Sequence, residues 1–496
     1  MSADRRFRTP WLDAPTQRSK RPHAASSFDA TRPVPPTRPA DPQGSAPPTP
    51  PPATPTWVAM VGALVAFCWL GGLVAAVGGN KEALGASVTA PLLLALTFYI
   101  ARRLARVDNN PRLVAILMGG VCLKLIGSAV RYWVAATIYG TGDFYDYDKW
   151  GQRISASIRH GHLLHLPGRL AGTDFMRYLT GFIYVVTPAR MMSGFLVYGW
   201  LSFIGLLFFW RAYRIAISPK RDTIYLLWIL LMPSLLYWPS AIGKDAFILL
   251  AAGICAYGTA CLLTQRLTTG LVALALGLLG MIMVRPHFAL AIVGGLALAT
   301  VFRRNDGGVF RTLVILAFVL GVGFVALQSA KSFFGISAFN QSAIVKTLSE
   351  ASSQTSGGGS AFTPVVVNSP LKLPLAAATV FYRPFPFEAH SAQEMLTAIE
   401  GTVLFILSIR ALPATIRALR SGRTYPYFLY CAGALLVFVV AFSGFSNFGI
   451  LARERSVIQP LFLVFLSLPR RRKQDADNFR APAPRAGPAT RSAPAP

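Results

Sequence analysis

Long apolar runs recur along this 496-residue chain, and they constrain its fold more than any other feature. Each run has roughly 17 to 25 residues, which is the length that an α-helix needs to cross the ~30 Å hydrocarbon core of a bilayer. Inside lipid every backbone polar group must be satisfied within the protein, so such runs form helices. The sequence therefore predicts an all-α, polytopic integral membrane helix bundle with about twelve transmembrane helices. The predicted spans are residues 57–78, 88–106, 112–138, 192–213, 223–239, 245–264, 268–284, 286–302, 311–329, 393–411, 424–443 and 456–469.

The basic residues are unevenly distributed between the predicted loops. The formal net charge is +28, and the larger share of the 48 Lys and Arg residues falls in the two tails and in alternate loops. This asymmetry follows the positive-inside rule, and it predicts that both termini are cytosolic. A nucleic-acid-binding protein would instead gather its positive charge on one exposed face, so no nucleic-acid partner is expected.

The composition divides the chain into three regions. Residues 1–56 and 470–496 are rich in Pro, Ala and Arg, and they hold too few apolar residues to offset the entropy of ordering. We expect two disordered cytosolic tails around a membrane domain at 57–469. Its two long outer segments are an acidic loop at 139–190 and a flexible loop at 330–392, whose centre is rich in Ser and Gly.

A short acidic and aromatic stretch lies in the first of these outer segments. Asp143, Asp146 and Asp148 are the candidate catalytic carboxylates, with Asp143 as the favoured base and either of the others as a second carboxylate or metal ligand. The rings of Tyr145 and Trp150 are candidates to stack on sugar faces. An interfacial aromatic belt is the alternative, but a belt accounts for the rings and not for three carboxylates. The apolar spacing that follows predicts an amphipathic helix on the outer surface.

Positive charges at the predicted outer face run against the positive-inside rule, so each needs a reason. The planar fork of a guanidinium matches phosphate or diphosphate oxygens, and a lysine at the N-terminal end of a span adds to a helix dipole that favours an anion. The candidate phosphate-binding residues are therefore Lys244, Arg285, Arg383, Arg453 and Arg455. The alternatives are ion pairs with Glu388 or Glu454, contacts with lipid headgroups and, for Lys244, snorkelling to the membrane surface.

The second outer segment ends in alternating rings and prolines, from Phe381 to His390. A mobile loop with an anchored aromatic end is typical of a lid over a membrane-surface site. A disordered loop that ends in a re-entrant turn is the alternative. The candidates for contact with the sugar or the acceptor are Tyr145, Trp150, Tyr382, Glu388, His287 and His390.

These features together resemble the GT-C superfamily of polyprenyl-phosphate-dependent glycosyltransferases. The resemblance is carried by Gly142-Asp143-Phe144-Tyr145-x-Tyr147 and the residues that follow, as far as Gly161. Two further stretches resemble bacterial envelope-polysaccharide membrane proteins, namely Trp238-Pro239-Ser240-x-x-Gly243-Lys244-Asp245 and Arg285-Pro286-His287.

The resemblance implies that the protein lies in a bacterial plasma membrane, among membrane lipid. It also implies a sugar donor attached to a polyprenyl phosphate and a glycan or protein acceptor. The base at the acceptor hydroxyl would be either a carboxylate alone or a metal-assisted carboxylate. A divalent metal, Mg²⁺ or Mn²⁺, would then bind at Asp143 and Asp146.

Two other classes of function stay open. Outer arginines with a long outer loop also resemble O-antigen polymerases, which join lipid-diphosphate-linked repeat units without a metal. The third class is a flippase or transporter for a lipid-linked saccharide, which should place its polar residues along a path near the membrane midplane. Here the polar residues gather at one predicted surface, which favours an enzyme that transfers a hexosyl or pentosyl group.

Overall fold

A computed structural model describes residues 66, 69–74, 77–162, 164, 170–217, 222–264, 266–303, 309–334, 341–357, 360–423 and 425–468. The predicted tails at 1–56 and 470–496 lie outside these residues, as does most of the first predicted span. The described part of the chain is an all-α helical bundle, as predicted. Its β-structure there is limited to an isolated bridge between Ala361 and Asn447.

Sixteen α-helices are named here from the described residues. They are α1 (Lys81–Val107), α2 (Arg112–Val134), α3 (Asp143–Arg159), α4 (Thr173–Val186), α5 (Met191–Ala216), α6 (Asp222–Leu231), α7 (Pro233–Tyr237), α8 (Lys244–Leu263), α9 (Leu267–Val284), α10 (Pro286–Phe302), α11 (Val309–Phe334), α12 (Gln341–Thr355), α13 (Leu373–Tyr382), α14 (Ala392–Arg420), α15 (Tyr427–Phe442) and α16 (Phe448–Leu466). A π-helical turn, Ala135–Tyr139, extends α2, and 3₁₀ turns occur at Pro370–Lys372 and Pro386–Glu388.

Many of these helices have the length and composition of membrane spans. Within the described ranges, seven are long and apolar enough to cross a bilayer, namely α1, α2 with its π-helical extension, α5, α8, α9, the Thr312–Lys331 part of α11, and α14. Three shorter apolar helices accompany them, α6, α10 and α15. The exposed surface of several spans is also apolar, as expected for side chains that face lipid. The structure therefore supports a membrane protein.

The fifth predicted span is broken into two helices, α6 and α7. Met232 is extended and Pro233 opens α7, which ends just before Pro239. Because a proline has no N–H, Pro239 leaves the carbonyl of Leu235 without its helical partner. The buried ammonium of Lys124 takes that place and donates to the Leu235 oxygen at 2.5 Å. The break therefore gives the buried side chain of Lys124 a hydrogen-bond acceptor inside the bundle.

The acidic segment is a hairpin of two packed helices, α3 and α4, and this corrects the predicted order of an acidic stretch followed by a helix. Helix α3 already begins at Asp143, after Gly142, whose φ of 148° lies in a region that only glycine adopts readily. The two helices cross closely at Gly181, where an added Cβ would lie 2.4 Å from Cγ2 of Ile154. The acidic residues are thus presented on a packed helix.

The segment predicted as a flexible outer loop contains helix α12 and, after it, a stretch that packs on α16 in the described residues. Helix α12 continues to Thr355, whose hydroxyl lies 3.0 Å from that of Ser446. The chain then runs along the start of α16. The N–H of Phe362 donates to the carbonyl of Ser446 at 2.8 Å, and the N–H of Phe448 donates to that of Ser360 at 3.0 Å.

The last helix begins earlier than the sequence predicts. The side chain of Asn447 accepts a hydrogen bond from the N–H of Ile450 at 3.1 Å and so caps α16. Arg453, Glu454 and Arg455 therefore lie inside the helix, rather than in an outer loop before it. Successive residues of a helix are about 100° apart, so Arg453 and Arg455 project in widely different directions.

Candidate functional site

Four charged side chains from three distant parts of the chain form a closed set of ion pairs, which we call the ion-pair ring: Asp245, Arg285, Arg453 and Glu454. Asp245 lies 3.0 Å from Nη1 of Arg285 and 3.4 Å from Nε of Arg453. Glu454 lies 3.3 Å from Nη2 of Arg453, and it also accepts a hydrogen bond from Nη1 of Arg285. Positive and negative groups alternate around the ring, so its formal charge is zero.

The ring forms where several helices begin or end. Asp245 is in the first turn of α8, and Arg285 lies between α9 and α10. Pro286 follows as the first residue of α10, a position that suits the fixed φ of proline, so the chain reverses direction at Arg285. Helix α16 supplies the other two members from its early turns. The buried Oδ1 of Asp245 accepts no hydrogen bond from a described residue, so its contact with Arg285 is an ion pair without hydrogen-bond geometry.

Lys244 lies beside the ring. Because the ring is formally neutral, Lys244 adds one formal positive charge to this part of the protein. It makes no carboxylate ion pair with any described residue, and its Nζ lies 3.4 Å from Oγ1 of Thr173 in the first turn of α4. The start of α4 is held in place by a 2.6 Å hydrogen bond from the N–H of Gly172 to the carbonyl of Met283 in α9. The helical hairpin of the acidic segment is therefore anchored next to Lys244.

Asp143 faces this group from the first turn of α3. Its carboxylate is exposed and makes no ion pair or side-chain hydrogen bond with another described residue. It lies within electrostatic range of Lys244 and Arg453. Burial, followed by the negative charge of Asp143, raises the pKa of the Tyr147 hydroxyl to about 12. The structure thus brings the predicted base together with three of the predicted phosphate-binding residues, Lys244, Arg285 and Arg453.

The other two predicted catalytic carboxylates are already engaged within the protein. Asp146 forms a bidentate pair with Arg177, at 2.8 and 2.9 Å. Asp148 is buried and accepts hydrogen bonds from the hydroxyl of Tyr184, at 2.5 Å, and from Nε2 of Gln152, at 2.8 Å. Burial raises the pKa of Asp148, and these hydrogen bonds only partly oppose that effect. Of the three, Asp143 alone is left free by the contacts in the described part of the chain.

The predicted metal site does not fit the arrangement of these side chains. A site for Mg²⁺ or Mn²⁺ needs several oxygen ligands that converge. Both oxygens of Asp146 are engaged by Arg177. Among the residues in the described ranges, no group of three or more His, Cys, Asp or Glu side chains is placed to hold a metal ion. We therefore derive no step through a metal.

Arg383 uses its planar fork within the protein and does not join the ion-pair ring. Its Nε lies 2.9 and 3.1 Å from the two oxygens of Glu388, and its guanidinium lies over the rings of Phe362 and Phe448, 4.6 and 5.3 Å from their centroids. Burial raises the pKa of Glu388, but hydrogen bonds from Arg383 and from the N–H of Phe385 outweigh it, so the net shift is downward. The guanidinium of Arg383, predicted to bind phosphate, is therefore paired with the carboxylate of Glu388, predicted to contact the sugar or the acceptor.

Arg455 is a structural residue, which corrects its predicted role as a phosphate-binding residue. Its side chain is buried, and its Nη1 donates to the carbonyls of Phe381 and Arg383, at 3.1 and 2.9 Å. Both carbonyls lie at the C-terminal end of α13, where a helix dipole favours a cation. A guanidinium that is closed off in this way does not meet a lipid phosphate at the surface.

The predicted sugar-contacting rings do not converge on one surface. Tyr145 packs on Phe144, and Trp150 lies beside the guanidinium groups of Arg153 and Arg177. The ring of Tyr382 is half-buried and packs against Phe405 and Phe462. His287 packs on Phe288 and Phe442, close to Arg285 in sequence, whereas His390 is exposed and its N–H donates to Glu394 at 2.7 Å. Of this set, His287 lies nearest in sequence to a member of the ring.

No functional role was predicted from the sequence for Thr173 or Tyr147, and Glu454 was predicted only as an ion-pair partner of an arginine. The hydroxyl of Thr173 lies between Lys244 and the buried Tyr147. A threonine at the start of a helix is ordinarily interpreted as a local cap, so nothing in the sequence indicates that Thr173 contacts Lys244. The role of Glu454 was indicated by the sequence, because an acid between two arginines beside an apolar run can be buried only if it has ion-pair partners.

Comparisons with protein families, with curated proteins and with solved structures found no match for this chain.

Proposed function

We propose that this membrane protein transfers a sugar from a polyprenyl-linked donor to a glycan or protein acceptor, with Asp143 as the base. One observation carries the proposal. Asp143 is the carboxylate of the acidic stretch that no described residue neutralises, and it lies within electrostatic range of Lys244 and Arg453. A free carboxylate beside positive groups suits a reaction in which one substrate loses a proton and the other releases a phosphate.

In the proposed reaction, Asp143 accepts the proton of the acceptor hydroxyl. The hydroxyl oxygen then forms the new bond to the anomeric carbon of the donor, and the bond from that carbon to the phosphate oxygen breaks. The electron pair leaves with the phosphate, which gains negative charge. We assign Lys244, which lies within electrostatic range of Asp143, to stabilise this charge. A preorganised positive charge stabilises a leaving group most strongly in a partly dry site.

The ion-pair ring sets how strongly the site attracts an anion. Because the ring has no net formal charge, Lys244 supplies the attraction. Both ion pairs of Arg285 pass through Nη1, so the rest of its fork stays available for phosphate oxygens. The side chain of Arg453 is 36% exposed. The carboxylates Asp245 and Glu454 then position both guanidiniums and keep the empty site from accumulating uncompensated positive charge.

The alternative is polymerisation of lipid-diphosphate-linked repeat units at the same site. It is favoured by one observation, which is that Asp143 and Asp146 do not form the predicted metal pair. Without a metal, a diphosphate leaving group would rely on Lys244, Arg285 and Arg453. The two proposals differ in the lipid that binds better, a polyprenyl monophosphate for the transferase and a polyprenyl diphosphate for the polymerase.

Lys244→Gln is expected to weaken binding of polyprenyl phosphate or diphosphate by about tenfold or more, because each charge-assisted hydrogen bond contributes about 1.5–3 kcal/mol. Binding of the two lipids to the purified protein, measured separately, also tells the alternatives apart. Lys149→Gln is the control, since Lys149 is exposed on α3 and makes no contact with the ring. Equal affinity of the Lys244 variant and the unaltered protein for both lipids contradicts a phosphate site at Lys244.

We also propose the finer topology, with about twelve spans in a bacterial plasma membrane and both termini in the cytosol. A protein without its five native cysteines carries the labelling sites. Ser356→Cys, exposed after α12, is expected to react with a membrane-impermeant thiol reagent in intact cells. Arg423→Cys, exposed after α14, is expected to react only after the cells are opened. The reverse pattern would place Asp143 in the cytosol and remove the outer-face mechanism.

A further inference from the structure

We propose a binding site for the headgroup of an anionic phospholipid at the C-terminal end of α1, formed by Tyr99, Arg102, Arg103 and Arg106. These four side chains line a surface cavity of about 330 Å³. They are spaced three, four and seven residues apart, so they share one face of the helix. The cavity is at the lower end of the volume range of small-molecule sites, which suits a phosphate with its glycerol rather than a larger ligand.

The arginines of this face are held by rings and not by acids. The guanidinium of Arg102 lies 5.5 Å from the ring centroid of Phe98, and that of Arg103 lies 5.6 Å from the centroid of Tyr99. Within the described ranges, none of the three arginines forms an ion pair with a carboxylate. A cation over an aromatic face is partly ordered while its N–H groups remain free to donate. The N–H groups of the three guanidiniums are therefore available to donate to phosphate oxygens.

The nearest acid in sequence is already neutralised by other arginines. Asp108, at the end of α1, is 2.7 Å from Nη1 of Arg211 and 3.3 Å from Nη2 of Arg214. Arg214 also pairs with Asp222 at 2.5 Å. This network ties α1 to α5 and α6. It leaves the positive face of α1 without a local counter-charge in the described part of the chain, so a ligand has to supply one.

The surface above the arginines identifies the ligand as a lipid. Leu92, Leu96 and Tyr99 continue the same face toward the middle of α1, and their side chains are 53%, 41% and 57% exposed. Helix α1 is one of the candidate membrane spans. An acyl chain would lie along this apolar stripe while the phosphate meets the guanidiniums at the membrane surface. A free phosphate would gain nothing from the leucines.

The helix dipole opposes an anion at this position, and the balance of charges decides the outcome. The C-terminus of a helix carries the equivalent of about half a negative charge. Three guanidinium groups bring three positive charges to the same turn, which outweighs it. The positive groups also attract anionic lipid by about tenfold or less per charge at the surface, before any specific hydrogen bond forms.

The experiment measures lipid binding by native mass spectrometry of the full-length protein in detergent. The probes are phosphatidylglycerol and phosphatidylcholine with the same acyl chains. We expect phosphatidylglycerol to bind about tenfold or more tightly than phosphatidylcholine. The variant with Arg102→Gln, Arg103→Gln and Arg106→Gln is expected to lose this preference. The control variant has Arg417→Gln, Arg420→Gln and Arg423→Gln, and it removes three exposed arginines at the end of α14 and just after it.

Retention of the preference in the α14 control, and its loss in the α1 variant, supports a discrete site. Equal loss in both variants shows diffuse attraction and overturns it, as does equal binding of the two lipids by the unaltered protein. Displacement of the bound lipid by millimolar inorganic phosphate would assign the face to free phosphate instead. If the triple variant fails to fold, Arg103→Lys carries the same test, because it keeps the charge and loses the fork, and affinity for phosphatidylglycerol must fall.

Discussion

Asp143→Asn is expected to lower turnover by about 10²-fold or more while the protein still folds and still binds its lipid donor. Asn has nearly the same shape as Asp but cannot accept the proton of the acceptor hydroxyl. Since Asp143 is exposed and makes no ion pair with another described residue, its replacement removes no packing or pairing from the fold. The measurement is release of polyprenyl phosphate or diphosphate from lipid-linked saccharide extracted from the producing cells.

Asp146→Asn is the matched control for this experiment. It removes the same charge three residues away on α3, but its carboxylate pairs with Arg177 and is 39% exposed. A partly exposed pair contributes about 1 kcal/mol or less to the free energy of unfolding, so the variant should stay folded. Its turnover should therefore stay within about fivefold of that of the unaltered protein. Undiminished turnover in Asp143→Asn, or an equal loss in the two variants, would refute Asp143 as the base.

Glu454→Gln is expected to destabilise the protein by about 3 kcal/mol, because it leaves Arg285 and Arg453 with only Asp245 as a counter-charge. The side chains of Glu454 and Arg285 are 5% and 12% exposed, so their charges are poorly solvated. Breaking a buried pair from one side costs about 3–5 kcal/mol, and the partial exposure of Arg453 argues for the lower end of that range. Denaturant-induced unfolding in detergent micelles measures the change.

Glu350→Gln tests whether this loss is specific to the ring. Glu350 lies 3.8 Å from Lys346 on α12, and both side chains are exposed, at 52% and 77%. Removal of such a pair should change the free energy of unfolding by about 0.5 kcal/mol or less. A Glu454 variant as stable as the Glu350 variant would show that the ring does not hold α8, α9 and α16 together.

The helical architecture was predictable because it depends on local properties of the chain. Apolar length marks candidate spans, and apolar spacing indicated a helix after the acidic stretch, although the sequence did not show that this helix, α3, already begins at Asp143. The start of α16 was not predictable in the same way. Arg453, Glu454 and Arg455 interrupt the apolar run, so the sequence placed the helix after them. Arg453 and Glu454 pair with Asp245 and Arg285, and one nitrogen of Arg455 donates to the carbonyls of Phe381 and Arg383.

The role of Arg285, unlike that of Arg383, depended on partners far away in sequence. Arg383 and Arg285 follow the same pattern, an arginine before a proline near apolar residues. Arg383 is neutralised five residues later by Glu388, whereas Arg285 reaches Asp245 and Glu454 and so enters the site. Glu388 was a visible local partner for Arg383, whereas nothing near Arg285 in the sequence indicates Asp245 or Glu454. The same holds for the three carboxylates of α3, since Arg177 and Tyr184 in α4 determine that Asp146 and Asp148 are engaged and Asp143 is free.

The sequence by itself determined that this protein is a helical bundle with membrane-spanning segments, and that acidic and basic residues lie beside those segments. Helix length is set by bilayer thickness and by backbone hydrogen bonding, and both act within one segment. Only the tertiary structure decided which of the charges are available to a ligand. A charge is free when no opposite charge meets it, and the opposite charges here come from other helices. That is why Asp143 and Lys244 remain as the candidate chemical groups, while Asp146, Arg383 and Arg455 serve the fold.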